Sequence, residues 1–204
     1  SAVEEALRQI GSAPNVLAVS TVGSFYDDGG YLRSVAAVAR PLLDEFEPDH
    51  ILFSYHGLPE SQIRRSESRP GWCLSNLDCC AAITAANRFC YRAQAYATTR
   101  GVTAELGLAA GSFSTSFQSR LKGQQWIEPY TDFELPRLYQ SGVRRLAVLT
   151  PSFVADCLET IEEIGIRGRK QWENLGGETF LLVPCVNTDP TWVAAAADLI
   201  RRAS

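Results

Sequence analysis

Short apolar segments recur along this chain with helix-like stretches between most of them: NVLAVSTV (15–22), HILFSYH (50–56), GSFSTSFQ (111–118), RRLAVLTPS (144–152) and TFLLVPCV (179–186). Strands separated by helices are joined by crossovers, and strands joined that way run parallel. The runs are almost continuously apolar instead of alternating, which suits a sheet covered on both sides. The expected fold class is therefore α/β, a Rossmann-like parallel sheet with helices on both faces. At 204 residues, with 46% hydrophobic and 21% charged, the chain can bury one sizeable core. No internal repeat or low-complexity segment interrupts the pattern.

Charge and composition narrow the function classes. A net charge of -4 offers no basic field for a phosphate backbone, so nucleic acid is not an expected partner and small ligands are. No run approaches the roughly 18 apolar residues of a membrane span, and SAVEEALRQI carries acids where a signal peptide would carry lysine. The expected location is cytoplasmic. Methionine is absent even at position 1, and the sequence is read as part of a longer protein.

In an open parallel sheet the ligand crevice lies beyond the carboxyl ends of the strands. Those positions here are Phe25 and Tyr26, His56, Gln118 to Arg120, and Ser152 to Glu159. The loop from Gly57 to about Thr84 has no periodicity and reads as an elaboration of that crevice.

His56 ends a strand, and Gly57 and Pro59 forbid regular continuation. An imidazole there can ligate a metal, accept a proton or serve as a hydrogen-bonded structural residue. His50 sits at the opposite edge of the sheet and reads as structural. In PSFVADCLETIEEIG, Asp156, Glu159 and Glu163 stand at relative positions 0, 3 and 7, within a narrow arc of one α-helix, while Leu158, Ile161 and Ile164 lie opposite. An acidic solvent face, favoured by the helix dipole, is the plain reading. The helix follows an apolar strand, however, so its acidic end should face the crevice of His56 and could hold or relay a divalent cation.

Four of the six cysteines, Cys73, Cys79, Cys80 and Cys90, fall in GWCLSNLDCCAAITAANRFC. This is no zinc-finger spacing, and adjacent Cys79 and Cys80 are awkward as ligands of one ion. Free thiols are the plain reading in a reducing compartment, zinc is another, and four thiolates are also what a [2Fe-2S] cluster requires. Cys157 and Cys185 read as buried structural residues.

FSYHGLPE, SFQSRLKGQQWIEPYTD and LTPSFVADCLETIEEI, in that order, resemble three successive signatures of the ferrochelatase family, the chelatases that insert ferrous iron into a porphyrin to make haem. The resemblance runs the length of the chain and implies a chelatase-like second lobe over 1–188, with a cysteine-rich insertion at about 70–92. A C-terminal helix over 189–204 would pack on a first lobe that the sequence lacks, so Trp192 is expected to lose its partner. The implied roles are His56 and Glu159 as catalytic residues, with Asp156 and Glu163 beside them at the metal site. Tyr55, Phe117 and Trp126 would contact the porphyrin, although relatives often carry tryptophan at position 117. Many relatives carry an acid where Arg167 stands. Some bacterial members bear a [2Fe-2S] cluster on cysteines inserted after the histidine motif, which assigns it to Cys73, Cys79, Cys80 and Cys90. The implied partners are protoporphyrin IX or coproporphyrin III, ferrous iron and the first lobe, with peripheral membrane association left open. Competing readings are an iron-sulfur redox-sensing module without chelation and a chelatase for another tetrapyrrole.

Overall fold

β1, His50–His56, is the strand around which the rest is built. In the computed structural model, which describes residues 20–66, 69–75 and 78–203, six of its seven residues are buried. It pairs in parallel with β2 (Phe113–Gln118) on one side and β3 (Arg145–Leu149) on the other, and β3 pairs in parallel with β4 (Thr179–Leu182). The order is β2-β1-β3-β4. The strands expected within 50–56, 111–118, 144–152 and 179–186 are thus present, the first with its expected bounds and the other three shorter. The strand expected at 15–22 lies outside the described residues except for 20–22.

Both faces of the sheet are covered because β1 points alternate side chains in opposite directions. Ile51, Phe53 and Tyr55 face a core shared with α1 (Gly29–Phe46) and α3 (Tyr91–Leu106). Leu52 faces a second core, made with Leu135 and Leu138 of α4 (Thr131–Gln140), Ile164, and Trp172 of α5 (Arg169–Leu175). Leu52 and Phe53 are wholly buried, each contributing roughly 1.5–3 kcal/mol of apolar transfer. A short α2 (Glu60–Arg65) follows the β1 turn, and α6 (Pro190–Ala203) closes the chain. No helix among the described residues is long and apolar enough to cross a membrane.

Two expectations need correction. The acidic helix begins at Glu159, not before Asp156, and Glu159–Gly168 is wound as a π-helix. Asp156 is held in the preceding loop, where its carboxylate accepts from the Cys185 amide and the Asn187 side chain. The changed start and pitch leave only Ile164 of the expected apolar side buried, while Leu158 is 76% and Ile161 53% exposed. Trp192 does not lose its partner. It packs against Phe25 and edge-on to Tyr31, with ring centroids 5.8 and 5.6 Å apart, because α6 lies along α1 of the same lobe. Val193 and Ile200 on its outer side remain exposed.

Candidate active site

The chain leaves β1 to form β2 on one side and returns to form β3 on the other, so β1 and β3 flank the point where the winding reverses. A crevice opens at the carboxyl ends of strands at such a point. His56 is the last residue of β1, and its amide donates to Ser152 Oγ, just past β3, at 2.9 Å. Its carbonyl accepts from Tyr91 Oη at 2.8 Å, and its Nδ1 lies 2.6 Å from the Gly57 carbonyl oxygen. The main chain of the strand tip is therefore fixed from two sides, and the imidazole lies between Phe153 and Trp126, at centroid distances of 6.1 and 6.4 Å. A cavity of about 440 Å³ adjoins it, lined by Tyr26, Tyr31, Tyr55, Tyr91 and Ser152.

Glu159 opens the π-helix, and its carbonyl accepts from Gln118 Nε2 at the tip of β2, at 2.7 Å. Its carboxyl is held below the ordinary value first by a hydrogen bond from the Cys157 thiol and then by its own amide, with the His56 charge contributing. His56 and Glu159 are thus brought within electrostatic reach of each other. Cys157, expected to be buried, is partly exposed and turned to this carboxylate.

The other two acids have different surroundings. Burial by itself would raise the Asp156 carboxyl, but hydrogen bonds from Asn187, Cys185 and Thr160 prevail and lower it. Glu163 accepts from the Ser119 amide at 2.8 Å and the Ser119 hydroxyl at 2.5 Å, with Gln118 Nε2 at 3.4 Å. Among the described residues no three His, Cys, Asp or Glu side chains converge on a single ion-sized point. The four expected metal groups therefore do not form one closed cage, and Asp156 and Glu163 are each engaged by hydrogen bonds from the crevice walls.

A second cleft of about 540 Å³ lies on the other side of Glu163, lined by Ser119, Arg120, Trp126, Asp132 and Arg167 among others. Trp126 is 6% exposed, and its indole N–H is one of two buried side-chain groups among the described residues without a hydrogen-bond partner. Tyr55 and Phe117 line these cavities from behind, exposing 2% and 1% of their surface, and the Tyr55 hydroxyl is bonded to Thr99. They form the floor more than a contact surface. Arg167 pairs with Glu162 at 2.8 Å. His50, read as structural, is buried and bonded to Ser114 Oγ at 2.8 Å.

The four clustered cysteines lie in the core shared by β1, α1 and α3. Cys73, Cys79, Cys80 and Cys90 are all buried, and none of the six cysteines forms a disulfide. Cys79 and Cys80 sulfurs lie 3.7 Å apart, and all four cysteines belong to one core cluster. The neighbouring Cys80 thiol, with the backbone amide of Ala93, holds the Cys90 thiol below its ordinary value against the effect of burial. The second partnerless indole N–H belongs to Trp72, next to Cys73.

Sequence reasoning gave no role to Tyr91, Ser152 or Ser119. Tyr91 follows a cysteine in CYRAQ, and only the fold reveals that its hydroxyl meets His56. Ser119 and Ser152 fall among the crevice positions because each follows a strand, but that position alone gives neither a role.

The ferrochelatase family model matches residues 1–204. A ferrochelatase of Pseudomonas fluorescens is 45% identical over 202 residues, covering 98% of this chain and 59% of that protein. A ferrochelatase of Opitutus terrae is 43% identical over 97% of the chain and 56% of its own length. One of Bdellovibrio bacteriovorus is 44% identical over 87% and 52%. The chain thus spans little more than half the length of these curated relatives. With the family model matching from end to end, this chain belongs to the ferrochelatase family.

Proposed function

We propose that this chain is the C-terminal lobe of an enzyme that inserts Fe2+ into a porphyrin, with His56 and Glu159 at the site of proton and metal transfer. The observation that carries this reading is that both belong to the crevice where the winding of the sheet reverses: His56 ends β1, and Glu159, on the segment after β3, is tied through its carbonyl to Gln118 at the tip of β2. Metallation replaces two pyrrole N–H bonds with bonds to the metal, so two protons must leave as the ion sheds its water ligands. An imidazole at the end of a rigid strand can accept a proton or offer a lone pair. A carboxylate such as Glu159 is a hard oxygen ligand that holds a divalent cation without the grip of thiolate. Glu163 and Asp156 keep the walls in place, and Trp126 has an indole N–H to offer a ligand in the adjoining cleft. The partly exposed Leu158, Ile161 and Phe133 supply apolar wall for a flat macrocycle, and the exposed side of α6 is where a further lobe would dock.

The cysteine quartet fits a [2Fe-2S] cluster in donor number and enclosure. Cys73, Cys79, Cys80 and Cys90 would hold it, and Arg92, whose guanidinium lies 3.2 Å from Cys80 Sγ, supplies a compensating positive charge. When bound, the group would supply one-electron redox chemistry.

The test is iron insertion by the full-length protein, followed by porphyrin fluorescence, with His56→Ala and Glu159→Gln and with protoporphyrin IX, coproporphyrin III and sirohydrochlorin as alternative substrates. Both variants are expected to lose turnover with the fold intact by circular dichroism. Unchanged turnover in both overturns the site assignment, and a preference for sirohydrochlorin overturns the substrate. Iron and sulfide analysis of anaerobically isolated protein tests the cluster.

A further inference from the structure

The first turn of α3 carries three consecutive residues that reach three different places. Cys90, at its N-cap, belongs to the thiol cluster. Tyr91 donates its hydroxyl to the His56 carbonyl at 2.8 Å, and the His56 amide in turn donates to Ser152 at 2.9 Å. Arg92 spreads its guanidinium over Cys80 Sγ at 3.2 Å, the Glu128 carbonyl at 3.0 Å and Tyr96 Oη at 3.4 Å. Glu128 belongs to the stretch around Trp126, which is itself pinned to the β1 turn by the Ile127 amide on the Leu58 carbonyl at 3.0 Å.

We propose that this turn is a positioning link, in which Tyr91 and Arg92 set the His56 strand tip and the Trp126 stretch in register with the four thiols. The link rests on the reading of His56 and the cysteine quartet given above. Three covalently consecutive residues leave little slack. A shift of Cys90 on ligation or oxidation moves Tyr91 and Arg92 with it, because all three share the start of one helix. The chemistry of the contacts is specific: a planar guanidinium can serve three acceptors at fixed angles, which a lysine ammonium on a flexible stem cannot. The Tyr91 contact is to main chain, so it governs where the imidazole stands without touching the ring. Tyr91 and Arg92 are positioning residues by this account, and the state of the thiols is what they transmit.

Hydrogen exchange read by mass spectrometry on the full-length protein, isolated anaerobically with its iron and sulfide measured, tests the link. Losing one net hydrogen bond is expected to speed local exchange roughly five- to tenfold. Tyr91→Phe should do so in residues 54–58, with iron and sulfide content as in the parent protein, and Arg92→Gln in 125–129, with its own iron and sulfide content measured beside the exchange. Arg92→Lys should restore little of the protection. Perturbing the thiols of the parent protein, by oxidation and chelation if iron and sulfide are present and by the thiol oxidant diamide if they are not, should raise exchange in both segments. That increment should vanish in the double variant. Exchange in β3 serves as the control, and a rise shared by β3 is read as unfolding, leaving the single variants to decide. Unchanged exchange at 54–58 in Tyr91→Phe overturns the link, as does an undiminished increment in the double variant. Absence of iron and sulfide sinks the cluster assignment alone, because the diamide arm still decides the link.

Discussion

Ser119, in the left-handed region at φ 67°, aims both its amide and its hydroxyl at the Glu163 carboxylate, at 2.8 and 2.5 Å. A non-glycine residue held there costs on the order of 1–2 kcal/mol, and the two hydrogen bonds to a charged acceptor offset it. Ser119→Gly relieves the backbone and forfeits the hydroxyl bond, so its stability should stay within about 0.5 kcal/mol of the parent. Ser119→Val adds a branched side chain to the same strained backbone and should cost about 2–3 kcal/mol. Urea midpoints of the two variants check this, and equal midpoints would show that the left-handed geometry is not enforced.

The sheet was legible in the sequence because three of its four strands are largely apolar runs bounded by turn residues, while β2, FSTSFQ, carries only two apolar residues, both aromatic. The crevice was legible with it, since His56, Gln118 and Ser152 stand at or just past the ends of these strands. The winding of Glu159–Gly168 was not. Its pattern of acids and aliphatics satisfies an α-helix equally well, and Asp156 is kept out of it by Cys185 and Asn187, 29 and 31 residues away. The clustering of four cysteines was visible as spacing, but the tie from Cys90 through Tyr91 to His56 joins residues 35 apart and depends on α3 standing beside β1. Long-range hydrogen bonds of this kind leave no periodicity to read.

Asp28 caps α1 through the amides of Gly30 and Tyr31 and reaches across to Arg202 of α6 at 2.6 Å. Burial by itself would raise its carboxyl, but the Arg202 guanidinium and the two amides prevail and hold it below the ordinary 3.8. A carboxyl depressed on folding contributes its full stability above the unfolded value, and that contribution is lost as the pH falls below about 4 toward the folded one. The parent should therefore lose more stability between pH 5 and pH 3 than Asp28→Asn, which keeps the cap but has no charge to titrate. At pH 7 Asp28→Ala should cost about 1 kcal/mol from the cap. Urea titrations at the three pH values measure both effects, and equal acid sensitivity of parent and Asp28→Asn would contradict the assignment.

Trp192 anchors α6 through Phe25 and Tyr31, whereas Val193, 54% exposed, faces away. Trp192→Ala should cost about 2–4 kcal/mol, at the lower end because the ring is only half-buried. Val193→Ser should change stability by less than about 0.5 kcal/mol if nothing covers that side. Thermal unfolding of the full-length protein separates two outcomes. A small effect of Trp192→Ala would remove the case for docking within the lobe, and a large effect of Val193→Ser would mean that another surface covers the outer side of α6.

Gly57 is the hinge on which His56 depends. Its amide donates to the Gln118 carbonyl at 2.8 Å, and a Cβ built on it would stand 2.8 Å from that same oxygen and 3.3 Å from the Trp126 ring. The first neighbour is backbone of β2 and cannot rotate aside, so a methyl group must push the turn outward. Overpacking of this kind costs about 1–3 kcal/mol. The larger consequence is geometric, because the displaced residue is covalently next to His56 and a misplacement of about 1 Å can lower a rate roughly 100-fold. Gly57→Ala should therefore reduce iron insertion far more than its loss of stability explains, with porphyrin binding changed less than turnover. Porphyrin titration beside turnover in the same preparation gives the comparison. Turnover reduced only in proportion to the folded fraction would mean that the strand tip tolerates the shift and that the position of His56 does not limit the reaction.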